Sequence, residues 1–590
     1  MSEGSSLGPA DFQEMGRRAL EELVAALPLS PRDGAEAGAE TLRRELVTRV
    51  LAEHARAGRF EPEDLGSVYE GTLGFSLELA REDSSVVEVR RKAGQARLEL
   101  VIARDAELPE AVISQRVVPR GRYFLRRTGT RRQSGSHYTS RALAERVVEL
   151  TLAPLLSERP SADDLLRLRV CDPAMGSGAF LVAACRVLAR RFVELAGDGR
   201  SEAALSRARK LVAEHCLFGI DQDPVAVETA RLALALAIDD AERGSRRFVR
   251  RLVRGDSLGD DFSELFCDVL GAGGFDALVG NPPWVSYAGR AAQPLEPELR
   301  ARYAERFRAF AGYRNLQGLF VERAAEALRP GGRLGFVLPS SMSELAGYAA
   351  TRKAHDRLCA PDAELPDIGE GGFPGVFQPC MILLSTRRTA PLDETPLGPW
   401  TLERPDLDPD ARSLLAKLER APLPPHLFGE RGLQSTGEDA EHLARDGDER
   451  HTVPLRCGSD VEAFHLGRAS YHADPGWFGG RLRSPEVWRS VRFVVRQTAR
   501  APVAALSDGT GFRNSLLAGF EDADYPAPFL VAYLNSTPIR WAHYVRHRDA
   551  RNGMPQMKIA HLRSLPAPPD RGLIDELARA GIEISSRNRG

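Results

Sequence analysis

Short apolar runs alternate with amphipathic segments between residues 134 and 390, and this alternation constrains the fold more than any other feature. The apolar runs have the length of buried strands, whereas the segments between them carry the one-sided apolar stripe of helices. The predicted strands are 166–171, 216–220, 275–279, 333–338 and 381–384, and the predicted helices are 178–195, 224–238 and 316–328. This pattern is typical of a parallel α/β sheet, whose ligands bind at the carboxyl ends of the strands. We therefore expect the functional site in the turns that follow the strands.

The turn after the first strand runs from Asp172 to Phe180 and reads DPAMGSGAF. Gly176 and Gly178 allow the backbone to approach a cofactor closely. The turn is not a nicotinamide fingerprint, because Leu181 and Val182 stand where the third glycine would be. An acid before the glycines suits a positively charged cofactor, such as the ammonium and sulfonium of S-adenosylmethionine, better than a pyrophosphate. A purely structural turn is the alternative interpretation.

Acidic residues also follow the next two strands. Asp221 comes first after the run 216–220 and is placed to accept both hydroxyls of a ribose, while Asp223 is expected to cap the following helix. A helix cap is also the alternative role for Asp221. Asp256 follows another apolar pair and is placed to accept the amino group of a cofactor adenine, although Gly-Asp-Ser is also an ordinary turn.

The turn Asn281-Pro282-Pro283-Trp284 follows the strand 275–279. It presents an amide side chain beside an aromatic ring and is stiffened by two prolines. Such a unit suits a planar substrate that bears an exocyclic amine. The Asn281 oxygen and the Pro282 carbonyl can accept the two amine hydrogens, while the Trp284 indole can stack on the ring. These residues predict methylation of an amino group, with a nucleobase as the favoured acceptor.

The four turns, in this order, resemble those of the amino-methyltransferases that act on adenine N6 of DNA. Cofactor turns, then the catalytic turn, then a C-terminal recognition region form the γ arrangement. That arrangement occurs in type I and type IIG restriction–modification methylases and in phage-defence methylases of the BREX and DISARM kind. The resemblance implies a Rossmann-like class I methyltransferase sheet of the α/β class, S-adenosylmethionine as cofactor, and a flipped adenine of double-stranded DNA as substrate.

Further segments carry the same resemblance. Residues 135–140 (GSHYTS) are similar to the family's N-terminal cofactor motif, and residues 315–320 (NLQGLF) to the segment after the catalytic turn, where Gln317 replaces an aromatic residue. Residues 328–341 and 372–374 match later strand motifs of the family. Residues 65–77 resemble a segment that precedes the methylase core, and residues 552–558 resemble a segment near the end of the recognition domain. The family places an aromatic residue near Phe373 to stack on the flipped base, and Phe377 is the competing candidate.

The resemblance assigns roles to individual residues. Asn281, Pro282 and Trp284 are the implied catalytic residues, and Trp284 and Phe373 the residues that stack on the target base. The implied cofactor-binding residues are Tyr138, Thr139, Asp172, Ala174, Gly176, Gly178, Phe180, Asp221 and Asp256.

The regions outside the alternating pattern predict further domains, as expected for 590 residues. Residues 1–115 are interpreted as an extension with helices in 1–60 and a β-hairpin of 85–90 and 96–103. The methyltransferase domain is assigned to 116–390 and a proline-rich linker to 391–411. Residues 412–590 are interpreted as an α+β target-recognition domain.

Two clusters of basic residues qualify as DNA contacts, although the net charge is only −2. Seven arginines and no acid lie between residues 116 and 132. The second cluster lies near the C-terminus, and Arg546, Arg548, Arg551 and Lys558 are its predicted DNA-binding residues. A solvated surface is the alternative, because the chain strongly prefers arginine to lysine.

The chain lacks the motifs of a nuclease or a motor. None of the five lysines has an acid two positions before it, and no G-x-x-x-x-G-K-[ST] occurs. Restriction would then come from partner subunits that supply a nuclease or helicase. The scattered cysteines and the absence of a signal or membrane-spanning pattern predict a cytoplasmic protein without a metal site.

Other functions remain open at this point. Enzymes with similar turns methylate glutamine amides of release factors, guanine amines of ribosomal RNA or N4 of cytosine. The cytosine-N4 enzymes more often begin the turn with serine. A catalytically silent DNA-binding subunit would keep the fold without the activity, and measurable cofactor binding would distinguish it.

Overall fold

The structure is a computed structural model, and it divides into two compact units, Met1–Glu403 and Arg404–Gly590. The division falls within the segment 391–411. The described residues are 9–26, 37–56, 61–73, 75–89, 98–104, 112–127, 139–158, 161–197, 199, 201–240, 247–259, 261–288, 292–369, 378–394, 398–403, 409–418, 421–435, 437–546, 556–568 and 570–587.

A mixed sheet forms the centre of the first unit, with the strand order β11-β13-β10-β9-β6-β7-β8 among the described residues. Strands β10, β9, β6, β7 and β8 run parallel, whereas β13 runs antiparallel to β10 and β11. The strands are β6 (Val170–Asp172), β7 (Leu217–Asp221), β8 (Leu252–Arg254), β9 (Phe275–Gly280), β10 (Leu328–Pro339), β11 (Cys359–Pro361), β12 (Asp367–Gly369), which pairs with β13, and β13 (Cys380–Arg387). The α/β prediction is confirmed.

Helices connect these strands and cover the sheet, which is why its strands are apolar runs without alternation. All six residues of β9 are buried. The helices of this part are α4 (Arg141–Ser157), α5 (Ala162–Leu165), α6 (Ala179–Ala196), α7 (Glu202–His215), α8 (Pro224–Ala237), α9 (Asp261–Leu265), α10 (Cys267–Gly271), α11 (Pro297–Arg306), α12 (Leu316–Ala327) and α13 (Ala349–Leu358). The predicted first strand, 166–171, is shorter in the structure because α5 ends immediately before it and only its last residues pair with β7 and β9.

The antiparallel edge of the sheet is held by the buried side chain of Arg333 on β10. Its guanidinium donates to both oxygens of Asp362, at 2.8 and 2.7 Å, and to Thr386 Oγ1 at 2.6 Å. Thr386 lies on β13, and Asp362 directly follows β11. A bidentate pair of this kind fixes geometry as well as adding energy, so one side chain joins three strands.

The N-terminal extension consists of three helices and two small sheets among its described residues. The helices are α1 (Pro9–Ala25), α2 (Ala37–Arg56) and α3 (Pro62–Leu73), and the strands are β1 (Phe75–Leu79), β2 (Ser84–Val89), β3 (Leu98–Ala103), β4 (Val112–Val118) and β5 (Tyr123–Arg127). The predicted hairpin is confirmed as β2 and β3, which pair in antiparallel fashion. Because β4 pairs with β2 and β5 with β1, residues 116–127 lie in the extension, and the predicted boundary at 115/116 falls inside β4.

The second unit is α+β. Its described strands form two four-stranded sheets, β14-β23-β20-β21 and β15-β19-β16-β22, and a two-stranded one, β17-β18. The strands are β14 (Phe428–Gly429), β15 (Leu443–Ala444), β16 (Val453–Arg456), β17 (Val461–Glu462), β18 (His465–Leu466), β19 (Tyr471–Ala473), β20 (Phe493–Arg496), β21 (Ala504–Leu506), β22 (Gly511–Phe512) and β23 (Leu516–Gly519). The helices are α14 (Pro409–Lys417), α15 (Pro475–Phe478), α16 (Pro485–Arg489), α17 (Ala527–Asn535), α18 (Thr537–Arg546), α19 (Ile559–Arg563) and α20 (Arg571–Arg587). In the described part of the chain, no helix is long and apolar enough to cross a membrane.

Candidate functional site

Four adjacent strands of the first unit end in the turns that the sequence singled out. Strands β9, β6, β7 and β8 are neighbours in the sheet and run parallel, so their carboxyl ends lie at one edge. Asp172 and Asp221 are the last residues of β6 and β7, Asn281 follows β9, and Asp256 follows β8. The sheet therefore brings the predicted cofactor and catalytic residues to one edge.

Asp172 is buried, and no basic side chain in the described part of the chain pairs with it. Its Oδ1 accepts a hydrogen bond from the Ala174 amide at 3.0 Å, whereas its buried Oδ2 has no hydrogen-bond partner among those residues. Burial raises the pKa of Asp172 to about 8, and the neighbouring charge of Asp221 adds to the rise. A carboxyl group in this state is stabilised by a cation that reaches the free oxygen.

The Asp172 carboxyl lies directly against the backbone that leads into the catalytic turn. A Cβ atom on Gly280, the residue before Asn281, would stand 2.7 Å from Asp172 Oδ1. A side chain at position 280 would therefore displace either the carboxyl or the strand end. Glycine at position 280 therefore allows the first and the fourth of the predicted turns to lie against each other.

The glycine turn and Asp221 form a second connected group. Gly176 and Gly178 have φ angles of 50° and 87°, a region that favours glycine. The Gly176 amide donates to Asp221 Oδ2 at 3.0 Å, and the Asp223 amide donates to Asp221 Oδ1 at 2.9 Å. Burial raises the pKa of Asp221 to about 6, although these amide hydrogen bonds oppose the rise. Asp223 caps α8 through the Val225 amide, as predicted.

Asp256 lies among polar neighbours after β8. Its Oδ1 accepts from Gln222 Nε2 at 2.9 Å and from the Leu258 amide at 3.0 Å. Arg302 lies 3.7 Å from its Oδ2. Gln222, between Asp221 and Asp223, was not predicted as a site residue, and its adjacency to two acids is the only signal that could have revealed it.

The predicted catalytic turn holds a buried acceptor oxygen beside an aromatic ring. Asn281 Nδ2 donates to Thr139 Oγ1 at 3.4 Å, while Asn281 Oδ1 is buried and has no hydrogen-bond partner among the residues that the structure describes. Trp284 is partly buried, and its Nε1 donates to the Val337 carbonyl of β10 at 3.4 Å. The ring is therefore attached to the neighbouring strand, and the amide oxygen remains available to a donor.

The segment after the predicted catalytic turn is hydrogen-bonded to the residue that follows that turn. The Leu316 amide donates to the Val285 carbonyl, and Asn315 caps α12 by accepting from the Gly318 amide at 2.7 Å. Gln317, which replaces the family's aromatic residue, is buried, and within the described ranges its Oε1 has no hydrogen-bond partner. A buried amide thus occupies the position where the resemblance implied an aromatic ring.

The remaining predicted residues divide into described and undescribed ones. Thr139 and Phe180 are buried, and Ala174 is partly buried. Tyr138, Phe373, Phe377, Arg548 and Arg551 lie outside the described residues.

In the second unit, the two described members of the C-terminal basic cluster differ. Arg546 is partly buried and donates to the Leu418 carbonyl at 3.3 Å, whereas Lys558 is exposed. The structure also shows an arrangement that no sequence pattern predicts. Two arginines stack on the Tyr471 ring, with guanidinium carbons 4.4 Å (Arg445) and 4.7 Å (Arg513) from the ring centroid. Such stacks orient arginine for recognition of planar or anionic groups.

The strand order, with an antiparallel strand inserted beside the edge, defines the fold of the class I S-adenosylmethionine-dependent methyltransferases. Residues 215–360 match the family model of the Eco57I restriction-modification methylases. The match agrees with the resemblance seen in the sequence.

Several known proteins are similar to this chain. The type II methyltransferase M.XhoI of Xanthomonas vasicola is 30% identical over 208 residues, which cover 35% of this chain and 33% of that protein. The type II restriction enzyme and methyltransferase RM.Eco57I of Escherichia coli is 23% identical over 217 residues, which cover 32% and 22%. The chain thus spans a third or less of these curated relatives. The DNA complex of the type IIL restriction-modification enzyme MmeI gives a TM-score of 0.49 at 15% identity, covering 78% of this chain and 72% of that one.

Asp172→Asn is expected to stabilise the cofactor-free protein at alkaline pH. The raised pKa means that the folded state binds more protons than the unfolded state between about pH 4 and pH 8. As the pH rises through that window, Asp172 therefore lowers the free energy of unfolding of the wild-type protein. The neutral amide of the Asp172→Asn variant has no such effect. Thermal unfolding should show a melting temperature about 2–4 °C or more above wild type at pH 8, with a smaller difference at pH 5.

The exposed Asp268 provides the matched control, because its carboxylate is already in solvent. Asp268→Asn should leave the pH dependence of the melting temperature unchanged. A gain from Asp172→Asn that is equal at pH 5 and pH 8 would contradict the assignment of a costly buried charge.

Proposed function

We propose that this protein is a site-specific DNA methyltransferase that transfers a methyl group from S-adenosylmethionine to N6 of adenine. The proposal is carried by the buried Oδ1 of Asn281, which accepts no hydrogen bond from any described residue and lies beside the Trp284 ring. It stands at the strand edge that also holds Asp172. An acceptor without a donor costs free energy in the folded state, and an exocyclic amine supplies the missing donor.

The donor set fits the cofactor. The ammonium of S-adenosylmethionine matches the free Oδ2 of Asp172, whose burial otherwise disfavours its charge. Asp221 would take the ribose hydroxyls and Asp256 the adenine amine, while Gly176 leaves open space at the backbone, with no atom within 4 Å of its Cβ position. When bound, the cofactor supplies an electrophilic methyl group.

The residues of the chain then act by positioning. Asn281 Oδ1 and the Pro282 carbonyl would accept the two amine hydrogens, which directs the nitrogen lone pair towards the methyl group. Trp284 would hold the flipped base by stacking, worth about 1–3 kcal/mol per base. Positioning and fixed dipoles account for catalysis of this kind, and a covalent enzyme intermediate is not required. Phe373 would contribute the second stacking surface.

The second unit would provide the DNA recognition. Lys558 and the arginines of its cluster carry charge suited to phosphates, and the Arg445–Tyr471–Arg513 stack presents oriented guanidinium groups. Partner subunits would supply any nuclease or helicase. Cytosine N4 is the second candidate acceptor, because its exocyclic amine offers the same two hydrogens to Asn281.

Asn281→Ala is expected to abolish methyl transfer while leaving the affinity for S-adenosylmethionine within about twofold of wild type. The substitution removes an acceptor for the substrate amine but none of the proposed cofactor contacts. Transfer of labelled methyl groups to DNA measures the first quantity, and isothermal titration calorimetry the second. Unchanged turnover would contradict the catalytic role of this turn.

The double variant Arg551→Glu/Lys558→Glu is expected to weaken DNA binding and to flatten its salt dependence. Each lost phosphate contact lowers the slope of log K against log salt by about 0.9. Fluorescence anisotropy with a labelled duplex at several salt concentrations gives the slope. The control is Lys417→Glu, an exposed lysine at the end of α14 in the same unit, which should leave the slope unchanged. Equal slopes for the double variant and wild type would place DNA binding elsewhere.

A further inference from the structure

Helix α3 of the N-terminal extension contacts the two helices that begin at the predicted cofactor turns. Glu63 in its first turn forms a bidentate pair with Arg186 on α6, the helix that follows the glycine turn. Tyr69, two turns further along, reaches the cap of α8, the helix that follows Asp221. One helix of the extension thus contacts both of the helices that follow the predicted cofactor turns.

The Tyr69 contact is short and shielded from water. Its hydroxyl donates to Asp223 Oδ2 at 2.7 Å, and the residue is 6% exposed. Burial raises the pKa of Tyr69 well above its ordinary value, so the phenol keeps the proton that it donates. A hydrogen bond to a carboxylate is stronger than one between neutral groups.

Asp223 relays this contact to Asp221 through the backbone. With Oδ2 held by Tyr69, its Oδ1 accepts from the Val225 amide, and its own amide donates to Asp221 Oδ1, each at 2.9 Å. The Gly176 amide fixes the other oxygen of Asp221 at 3.0 Å. The orientation of the Asp221 carboxylate therefore depends on the position of Asp223.

Apolar packing supports the same connection. Val225 and Ala226, in the first turn of α8, belong to the hydrophobic cluster of the extension and not to the main core of the sheet. The extension contributes Leu65 and Val68 of α3 to this cluster, and both are fully buried. The first turn of α8 consequently rests on the extension.

We propose that Tyr69 is a positioning residue of the cofactor site and that the N-terminal extension is thereby a functional part of that site. The inference rests on the proposed function, because it takes Asp221 as a ligand of the cofactor ribose. The Tyr69 hydroxyl holds Asp223, and Asp223 presents Asp221 to the ligand. Loss of this hydroxyl weakens cofactor binding although Tyr69 does not touch the cofactor.

The test compares Tyr69→Phe with Tyr533→Phe. Tyr533 also donates from a buried hydroxyl, to the Pro566 carbonyl in the second unit, so the control loses a buried hydrogen bond that is not part of the chain of contacts to Asp221. Isothermal titration calorimetry with S-adenosylmethionine gives the dissociation constant. Hydrogen exchange of peptides over residues 217–230 reports the α8 cap in the cofactor-free protein, and thermal unfolding reports stability.

Tyr69→Phe is expected to weaken cofactor binding about three- to tenfold, the effect of one hydrogen bond, and to speed exchange in 217–230. Tyr533→Phe should lower the melting temperature while leaving both quantities unchanged. Asp223→Ser keeps a capping side chain but lacks the second oxygen. It should weaken binding similarly, and adding Tyr69→Phe to it should have little further effect, because both changes break the same contact.

The outcomes separate this inference from the proposed function. If wild type fails to bind S-adenosylmethionine, the proposed function and this inference are both wrong. If wild type binds and Tyr69→Phe binds equally well, only the positioning role is wrong. A lower melting temperature for Tyr69→Phe with unchanged affinity and exchange would make the contact purely structural.

Discussion

The structure depends on bringing two carboxylates to the ends of adjacent parallel strands, where Asp172 is buried and Asp221 partly buried. Among the described residues, no basic side chain forms an ion pair with either of them. Asp172 and Asp221 both have raised pKa values, about 8 and about 6, with burial as the largest cause. The amides of Ala174, Gly176 and Asp223 recover only part of the lost solvation. Such a site lowers stability in the absence of a ligand and gains affinity for a cationic one, which is a common compromise between stability and function.

The strand order also places the Asp172 carboxyl group next to the predicted catalytic turn. Because β9 lies beside β6, the carboxyl group of Asp172 contacts the backbone at Gly280, immediately before Asn281. The Trp284 ring is in turn attached to β10 by its hydrogen bond to Val337. The residues proposed to bind cofactor and substrate thus lie at neighbouring strand ends. The extension contacts the helices that follow two of these strands, through Glu63 at Arg186 of α6 and through Tyr69 at the cap of α8.

The sequence predicted the parts of the fold and site that local patterns encode. Alternating apolar runs identified the main strands, and the polar turns after them identified Asp172, Asp221 and Asn281 as neighbours. Contacts between distant segments were not accessible in this way. Tyr69 and Asp223 are 154 residues apart, and neither position carries a pattern that names the other. Likewise, β4 pairs with β2 and β5 pairs with β1, so both strands belong to the extension. The local charge pattern at residues 116–132 does not reveal these pairings. Short edge strands such as β11 and β12 leave too few residues for a periodic signal.

Nucleoside analysis of methylated DNA tests the central claim most directly. Purified protein would be incubated with S-adenosylmethionine and unmethylated DNA of high sequence complexity, and the DNA digested and analysed by mass spectrometry, with Asn281→Ala as the blank. The account predicts N6-methyldeoxyadenosine with wild type only, at a recurrent sequence when the same DNA is read by long-read sequencing. N4-methyldeoxycytidine in its place would contradict the adenine assignment, and the absence of any methylated nucleoside from DNA, in the presence of measurable cofactor binding, would contradict DNA as the substrate.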